Sequence, residues 1–273
     1  MHVHPVDTLE LPELEPYRTL RARTRHWQDG HIVAEGVKTV EALLASDFTV
    51  HSVLLNEAWL RTLRETLDAP RFSKTVAYVA SDVLLERIVG FPLHQKLLAL
   101  AAMPANPPLE DLAVPRNTPA LHVAVEGLAD AENMGMVMRN CAAFGVDSVL
   151  VGPDSTSPYM RRSVRVSLGN VFSLRIHRAD NLLDVLATCR ERFGWHIVGT
   201  TPRGGSRTLE KAVHEERNIC LLVGSEADGL SSDALALCDD HFTIPMHRGV
   251  DSINVANAVA VSLYEATRHG AGE

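Results

Sequence analysis

The sequence predicts a two-domain α/β protein whose second domain contains a mostly parallel sheet. Its 273 residues exceed the usual size of one domain, about 100–200 residues. Five prolines fall within the sixteen residues from 104 to 119 and interrupt the chain. On both sides of them, short apolar runs alternate with segments of helical periodicity. Apolar runs rich in Val and Ile are typical of parallel strands covered by helices on both faces.

The first domain is predicted over residues 1–104 and is expected to be a small α/β module. Its strands are predicted at 31–34, 50–56 and 75–80, and its helices at 37–46, 58–67 and 81–90. The last of these helices has a Ser or Asp start and a Gly stop. The segment HQKLLALAAM, which precedes the prolines, is also interpreted as helical.

Residues 105–118 are predicted to be a proline-rich linker, and residues 119–273 the second domain. Here the alternation of strands and helices is clearer. The predicted strands are LHVAVEGL, SVLVG, FSLRIH, WHIVGT, ICLLVG and HFTIPM, and the predicted helices include ENMGMVMRNCAAFG and NLLDVLATCRERFG. The helix after HFTIPM has no charged residue between Asp251 and Glu265, so it is expected to be buried.

The net charge of −8, from 26 basic and 34 acidic residues, at first disfavours a polyanionic partner. Only four of the basic residues are lysines, and the arginines are unevenly placed. Residues 139–178 contain six arginines and two aspartates, a local charge of +4. A second group of arginines lies at positions 18, 21, 23 and 25. Arginine suits bidentate phosphate contacts, so the local charge permits binding of nucleic acid.

Neither the cysteines nor the histidines predict a metal site. The cysteines at 141, 189, 220 and 238 form no CxxC pair, and no HxxxH or HExxH spacing occurs. Buried thiols in a reducing compartment are the expectation. No apolar run has the length of a membrane span, and the N-terminus lacks the pattern of a signal peptide. The protein is therefore expected to be cytoplasmic.

Three stretches at predicted strand ends could form a site. In residues 125–145, Asn133 and Arg139 flank Gly135 at the start of a helix, which indicates either an anion or ribose site or an ordinary helix cap with a surface arginine. In residues 221–230, a strand enters a Gly-Ser-Glu turn, where open α/β sheets place ligands, although a tight turn alone would look the same. Residues 242–266 join a strand to a helix rich in small residues. No Walker loop and no GxGxxG motif occurs.

Together these stretches resemble the SpoU (TrmH-like) branch of the SPOUT RNA methyltransferases. The shared motifs are N-x-G-x-x-x-R-x-x-x-x-F-G at 133–145, V-G-S-E-x-x-G-L at 223–230, and I-P-M-x-x-G-x-x-S-[LI]-N-V at 244–255. The resemblance covers about residues 119–269. Ala227 replaces a commoner Gly and Ile253 a commoner Leu, and the first change matters if position 227 requires a positive φ. The first domain resembles the small ribosomal-protein-like substrate-binding domain that often precedes these enzymes.

The resemblance implies transfer of the methyl group of S-adenosylmethionine to a ribose 2′-hydroxyl of rRNA or tRNA. It implies a deep trefoil knot in the second domain, and a homodimer with an active site at its interface. The implied cofactor-binding residues are Gly224, Ile244 and Ile253, with Val223, Met246 and Thr200. The implied catalytic residues are Arg139, Asn133, Ser252, Asn254 and Glu226. The implied RNA-binding residues are Arg161, Arg162, Arg165, Arg18, Arg21, Arg23 and Arg25.

Arg139 is the central residue of this hypothesis. A guanidinium group is protonated at neutral pH, so a role as general base is disfavoured. Clamping the target phosphate and stabilising the developing alkoxide is the interpretation that fits its chemistry. Glu226 is expected to hold its loop by accepting backbone N–H bonds. An RNA-binding protein that keeps the fold without catalysis is the main alternative, and a dinucleotide-dependent oxidoreductase is a more distant one that lacks its fingerprint.

Overall fold

The computed structural model describes residues 1–8, 10–20, 30–90, 92–93, 95–114, 119–202 and 218–268. The chain forms two compact units. The first unit comprises Met1–Pro104 and Tyr159–Ser173, and the second comprises Ala105–Pro158 and Leu174–Glu273. Each unit has its own β-sheet and its own buried core.

Eleven strands and nine α-helices occur in the described residues and are numbered here in chain order. The strands are β1 His2–Pro5, β2 His31–Glu35, β3 Val50–Leu55, β4 Val76–Val79, β5 Leu97–Ala102, β6 Ala120–Val125, β7 Ser148–Val151, β8 Ile176–Arg178, β9 His196–Thr200, β10 Asn218–Val223 and β11 Asp240–Phe242. The helices are α1 Glu15–Arg18, α2 Val37–Ala45, α3 Glu57–Leu67, α4 Asp82–Val89, α5 Ala131–Ala143, α6 Arg161–Val166, α7 Leu182–Thr188, α8 Ser232–Leu237 and α9 Val255–Thr267.

The sheet of the first unit has the strand order β1-β4-β3-β5-β2. Strands β1, β4 and β3 are parallel, whereas β5 is antiparallel to both of its neighbours. Local signals explain the flanking helices. Asn56 caps α3 by accepting from Trp59 N at 3.0 Å, and Ser81 caps α4 by accepting from Leu84 N at 3.3 Å. Helix α4 ends at Gly90, whose φ of 73° suits glycine.

The helical interpretation of HQKLLALAAM is wrong, because residues 97–102 form β5. This strand lies between β3 and β2, and its residues 97–101 are buried. In a short run of apolar residues without alternating polar ones, periodicity does not distinguish a buried strand from a buried helix. Strand β1 was not predicted, since all four of its residues are exposed and lack an apolar pattern.

Residues 159–173 lie in the first unit, although the sequence assigned them to the second domain. Their apolar side chains explain this placement. The ring of Phe172 lies 5.2 Å from that of Phe48, and Tyr159 is buried beside the same ring. A Cβ on Gly169 would lie 2.7 Å from Ala42 Cβ, so glycine is required for this close approach to α2. The chain therefore passes between the units three times.

The sheet of the second unit is parallel throughout its described strands, in the order β11-β9-β10-β6-β7-β8. The predicted α/β class with a parallel second sheet is thereby confirmed. Every residue of β10 is buried, as expected for a central strand covered on both faces. The carboxyl ends of β6, β9 and β10 lie side by side, and the loops that follow them form the candidate site.

A buried polar cluster lies where β6, β7 and β10 begin. The imidazole of His122 is fully buried and stacks on Trp195, with ring centroids 3.8 Å apart. Its Nδ1 lies 2.7 Å from Ser148 Oγ, and its Nε2 lies 2.9 Å from Asn218 Oδ1. Because Asn218 Nδ2 donates to the Phe193 carbonyl, Asn218 Oδ1 faces the ring as an acceptor. The ring therefore has its proton on Nε2 and accepts from the Ser148 hydroxyl at Nδ1.

Acid is expected to destabilise the protein through this cluster. Burial lowers the pKa of His122 to about 4 from 6.5, although the bond to Asn218 and the charge of Asp147 oppose the shift. The unfolded chain binds a proton below pH 6.5 that the folded ring refuses, so this stability is present above that pH and is lost as the pH falls towards 4. The loss amounts to about 3 kcal/mol of unfolding free energy.

Urea unfolding between pH 7 and pH 4 measures this effect. The His122→Gln variant is expected to show a flatter pH dependence than the wild type, because it lacks the titrating ring. The exposed His4 serves as the matched control, and His4→Gln should keep the wild-type slope. An unchanged slope in His122→Gln would contradict the assignment.

Candidate functional site

The loop from Gly224 to Leu230 connects β10 to α8 and is held in a tight turn. Ser225 N donates to Gly229 O at 3.0 Å, and Gly229 N donates back to Ser225 O at 3.1 Å. A Cβ on Gly224 would lie 2.1 Å from the carbonyl carbon of Gly229, so only glycine fits here. Ala227 is not among the described residues with positive φ, so replacing the family's commoner glycine there costs no backbone strain.

Three side chains link the three motif stretches. Asn133 Nδ2 donates to Glu226 Oε1 at 2.8 Å, and Asn254 Nδ2 donates to Asn133 Oδ1 at 2.9 Å. Asn133 is 9% exposed, so its amide has little access to water and its orientation is set by these two partners. Glu226 thus contacts a side chain in this arrangement, where backbone N–H groups were expected from the sequence.

Two residues of this chain of bonds, Asn133 and Asn254, are placed by helix N-termini. Asp130 caps α5, accepting from Glu132 N and Asn133 N at 2.8 Å, so the helix begins at Ala131, one residue before the predicted segment ENMGMVMRNCAAFG. It ends at Ala143, and Gly145, the last residue of the predicted segment, takes the C′ position at a φ of 70°. Asn254 caps α9, with its Oδ1 2.9 Å from Ala256 N. Capping oxygens satisfy N–H groups that have no partner within the helix.

Helix α9 packs on α5 along one face only. Asn140 Nδ2 of α5 donates to the Ala256 carbonyl at 2.8 Å, and Val259 and Leu263 are buried. The opposite face exposes 46% of Val261 and 58% of Tyr264. The expectation of a buried helix therefore holds for one face and is wrong for the other, because α5 is the main packing partner of α9 among the helices that the structure describes.

The loops at the carboxyl ends of the strands enclose a cavity of about 680 Å³. This volume is within the usual range of small-molecule sites. Nine predicted site residues line it: Thr200, Val223, Gly224, Glu226, Ile244, Met246, Ser252, Ile253 and Asn254. The lining also includes Thr201, Ser225, Phe242 and Ala258, which were not selected from the sequence.

The charge of the cavity is acidic. Glu226, Asp228 and Asp251 line it, and none of its described lining residues is Lys or Arg. Carboxylates attract a cationic ligand and repel a phosphorylated one. The apolar side chains of Ile244 and Ile253 provide surface for a flat aromatic ring. The lining therefore fits a cofactor with an aromatic group and positive charge, and it disfavours a dinucleotide.

Arg139 lies outside the described lining of this cavity. It is exposed on α5, and among the described residues its guanidinium makes no hydrogen bond or ion pair. An exposed guanidinium without a partner is available to an anion. Asn133, the other predicted catalytic residue on α5, lies about 1.7 turns before it and contacts Glu226.

The predicted RNA-binding arginines differ in their surroundings. Arg161 binds the Glu35 carboxylate through Nε at 2.9 Å and the Leu20 carbonyl at 3.0 Å, so its guanidinium is engaged within the first unit. Arg165 is 45% exposed, with Nη1 3.8 Å from Glu35 Oε1, and Arg162 is exposed. Arg18 donates to the Leu11 carbonyl at 3.1 Å. Arg21, Arg23 and Arg25 lie outside the described residues.

The family of the chain follows from comparison with known proteins. The profile of the SpoU rRNA Methylase family matches residues 120–264, more than half of the sequence. The chain belongs to this family. The predicted family is therefore confirmed, and with it the predicted enzyme class, an RNA methyltransferase. The three motifs at 133–145, 223–230 and 244–255 lie within the matched residues, as do the contacts of Asn133, Glu226 and Asn254.

The similarity to individual relatives covers most of the chain. A protein of Mycobacterium tuberculosis named as an uncharacterized tRNA/rRNA methyltransferase is 35% identical over 270 residues, 95% of this chain and 90% of the relative. The 23S rRNA (guanosine-2′-O-)-methyltransferase RlmB of Vibrio cholerae is 28% identical over 85% of this chain and 95% of its own length. The crystal structure of the SpoU methyltransferase AviRb of Streptomyces viridochromogenes has a TM-score of 0.80 and 26% identity, over 95% of this chain and 97% of that one.

Two residues near the family motifs make structural contacts but were not predicted as site residues. Asn140 joins α5 to α9, and Glu126 binds the residue that precedes α8. Glu126 is the one acidic residue within the predicted strand LHVAVEGL, which was the available signal. Across the described part of the chain, no group of three His, Cys, Asp or Glu side chains could hold a metal ion. No helix there has the length and apolar character needed to cross a membrane.

Proposed function

We propose that this enzyme transfers the methyl group of S-adenosylmethionine to a ribose 2′-hydroxyl of rRNA or tRNA. The observation that carries the proposal is the hydrogen-bonded chain Glu226–Asn133–Asn254, which joins the three family motifs beside one acidic cavity. The family profile and the name of the Vibrio cholerae relative support the same chemistry.

The cavity lining supports S-adenosylmethionine as the cofactor. We assign Ile244, Met246 and Ile253 to the adenine ring, and Gly224 and Val223 to backbone contacts with the adenosine. The carboxylates of Glu226, Asp228 and Asp251 complement the positive charge of the cofactor. When bound, the cofactor supplies an activated methyl group on a sulfonium. The buried Leu222 carbonyl accepts from the Thr200 hydroxyl at 3.2 Å, which holds the cavity wall at β9 and β10 together.

In this proposal, catalysis depends on residues that position the ribose hydroxyl. We assign Arg139 to the phosphate beside the target ribose, where its protonated guanidinium also stabilises the alkoxide as the hydroxyl proton leaves to solvent. Asn133 and Asn254 hold each other's amide orientation, and Glu226 fixes Asn133 from the other side. Ser252, two residues before Asn254, is assigned to orient the ribose. Holding the reacting groups in line lowers the barrier by several kcal/mol, up to about 7–11 in the best cases.

We further propose that the second unit contains the deep trefoil knot of the SPOUT fold, and that the first is a ribosomal-protein-like substrate-binding domain. The family profile supports the knot. The small residue Ala256 of α9 supports it too, because it is buried where Asn140 of α5 contacts its carbonyl, and a chain threaded through a loop needs small side chains. We propose residues 1–104 and 119–273 as the domains in sequence and 105–118 as the linker, with residues 159–173 packed into the first unit. A cytoplasmic location is part of the same proposal.

A homodimer is part of the proposal. Val250, Ile253, Val261 and Tyr264 are exposed apolar residues in or before α9. Ser252, Asn254 and Glu226 are exposed as well, so these described residues leave the cavity mouth accessible. A second copy that covers this apolar surface would exclude water from the site and bring its own residues to the cavity mouth.

The first unit offers a surface for the RNA. A cavity of about 330 Å³ is lined by Lys38, Arg165, Gln95 and the apolar side chains of Leu93 and Leu168, among others. Lys38 is exposed and has no hydrogen bond or ion pair to the described residues. We propose that Lys38 and Arg165 bind RNA phosphates and that Arg162 extends this surface. Arg161 is the weaker candidate, because its guanidinium already binds the Glu35 carboxylate at 2.9 Å and the Leu20 carbonyl at 3.0 Å. Arg165 approaches Glu35 only to 3.8 Å.

RNA affinity is expected to fall steeply with salt, and removal of these two cations should reduce that dependence. In Lys38→Ala/Arg165→Ala, the slope of log Kd against log salt is expected to decrease by about 2, roughly one for each phosphate that is no longer bound. Filter binding to ribosomal RNA at about 50–200 mM salt measures the slope. Lys74→Ala, an exposed lysine of the same unit, is the control and should match the wild type. A flat salt response in the wild type would contradict the RNA surface.

Calorimetric titration with S-adenosylmethionine and a tritiated-methyl assay on unmodified rRNA and tRNA transcripts test the proposed function. We expect saturable binding of the cofactor and incorporation of label. The label should appear in alkali-stable dinucleotides, because a 2′-O-methyl group blocks alkaline cleavage at that ribose. RNA binding without cofactor binding and without label would instead identify an RNA-binding protein that lacks catalysis.

A further inference from the structure

Glu126 contacts both ends of the loop from Gly224 to Leu230. Its backbone N–H donates to the Val223 carbonyl at 2.8 Å, immediately before the loop. Its carboxylate accepts from Ser231 N at 2.9 Å and from Ser231 Oγ at 2.7 Å, immediately after the loop. One residue at the carboxyl end of β6 therefore fixes the points where the loop leaves β10 and enters α8.

Hydrogen bonds within the loop restrain its internal conformation. The paired bonds between Ser225 and Gly229 close it, and Asp228 N donates to Ser225 Oγ at 3.0 Å. The loop is therefore a preformed turn whose orientation depends on its two ends. Gly127 lies against it, since a Cβ at that position would be 3.5 Å from Ser225 Cβ.

Ser231 links this anchor to the next helix. Its hydroxyl donates to Glu126 and accepts from Ala234 N at 3.1 Å, which caps α8. The hydroxyl thus uses its donor and one acceptor position at once. Loss of the Glu126 carboxylate would leave α8 capped but would detach its first turn from the end of β6.

We propose that Glu126 is a positioning residue that sets the affinity for S-adenosylmethionine by holding the loop from Gly224 to Leu230 in its binding conformation. This inference rests on the proposed function. Glu126 is absent from the described lining of the cofactor cavity, so its influence passes through Gly224 and Glu226, which do line it. A loop that must be ordered at binding reduces affinity, whereas a preorganised loop does not. Once the cofactor is bound, it restores the loop, and the chemical step proceeds as before.

The test measures binding of S-adenosylmethionine and steady-state kinetics in the full-length protein. In Glu126→Ala, Kd and KM for the cofactor are expected to rise about fivefold, with kcat at saturating cofactor within twofold of the wild type. Ser231→Ala removes one of the two bonds to the carboxylate and should raise Kd about twofold. The double variant should bind no more weakly than Glu126→Ala, because the shared bond is already absent.

Two further variants separate positioning from folding. Glu126→Gln retains one acceptor oxygen at the same length and should give an intermediate Kd, which rescues part of the effect. Asp233→Asn changes an exposed carboxylate on α8 and should leave Kd unchanged. Thermal unfolding of each variant should stay within a few degrees of the wild type.

Each other result has one interpretation. Wild-type affinity in Glu126→Ala, a fall in kcat equal to the rise in KM, or strictly additive effects of the two single variants would overturn the positioning role. If the wild type methylates RNA and the variants bind the cofactor equally well, only this inference fails. If the wild type binds no S-adenosylmethionine, this inference and the proposed function fail together.

Discussion

Replacement of Arg139 by alanine is expected to lower kcat for methyl transfer by at least about 100-fold, the effect typical of losing one group that stabilises developing negative charge. The Kd for S-adenosylmethionine should stay within twofold of the wild-type value, because Arg139 lies outside the described cavity lining. Its exposed guanidinium has no partner in the described chain, so its removal breaks no internal contact. A filter assay with tritiated cofactor and a separate calorimetric titration measure the two quantities.

Arg139→Lys distinguishes a guanidinium clamp from a simple charge. Lysine retains the positive charge but lacks the planar fork that binds phosphate through two bonds. Activity is expected to fall at least tenfold in this variant. Arg61→Ala, an exposed arginine on α3, is the matched control and should keep wild-type activity. Near wild-type methyl transfer by Arg139→Lys would show that the proposed role is wrong.

Gly224→Ala is expected to remove most cofactor binding. The added Cβ would lie 2.1–2.3 Å from the Gly229 carbonyl group and Leu230 N, which are backbone atoms that cannot swing away. The turn must therefore open, and overpacking of this kind costs about 3 kcal/mol, which corresponds to about 100-fold in Kd. Calorimetric titration with S-adenosylmethionine measures the loss.

The control for this prediction is a glycine at which a side chain would strain the backbone but would meet no other atom. Gly145 ends α5 with a φ of 70°, and no atom lies within 4 Å of its Cβ position. Gly145→Ala should lower the unfolding free energy by about 1 kcal/mol and leave the cofactor Kd unchanged. If Gly224→Ala bound the cofactor as tightly as Gly145→Ala does, the close packing of this loop would have no bearing on the cofactor.

Local signals in the sequence account for much of the fold. The helix caps at Asn56, Ser81 and Asn254 and the glycine stop at Gly90 depend on residues a few positions apart, so a sequence pattern reveals them. The parallel second sheet was predictable because its buried strands are continuous apolar runs. Strand β5 was misinterpreted for the same reason, since a continuous apolar run also resembles a buried helix.

Long-range placement could not be predicted from local patterns. Residues 159–173 follow the second unit's β7 in sequence, but Phe172 finds its aromatic partner Phe48 in the first unit. The bond from Asn133 to Glu226 spans 93 positions, and no periodicity indicates it. The motifs gave Asn133, Glu226 and Asn254 as candidate site residues, and the structure shows that Glu226 and Asn254 both bind the Asn133 amide.

The local distribution of charge agrees with the proposal that the second unit binds the cofactor and the first unit binds RNA. The net charge of −8 coexists with an acidic cavity in the second unit and with Lys38 and Arg165 exposed in the first. The carboxylates suit a cationic cofactor, and the exposed cations suit an RNA backbone. The average charge therefore says little about the partner, and the local charges say much more.

Methylation of a ribose 2′-hydroxyl in RNA is the reaction on which the roles proposed for Arg139, Asn133 and Asn254 depend, and mapping of 2′-O-methyl sites tests it. Total RNA from cells with the protein, without it, and with Arg139→Ala would be compared by resistance to alkaline cleavage at each nucleotide. We expect at least one rRNA or tRNA position that is protected only when the wild-type protein is present. Identical maps in all three RNA samples would contradict the proposed reaction.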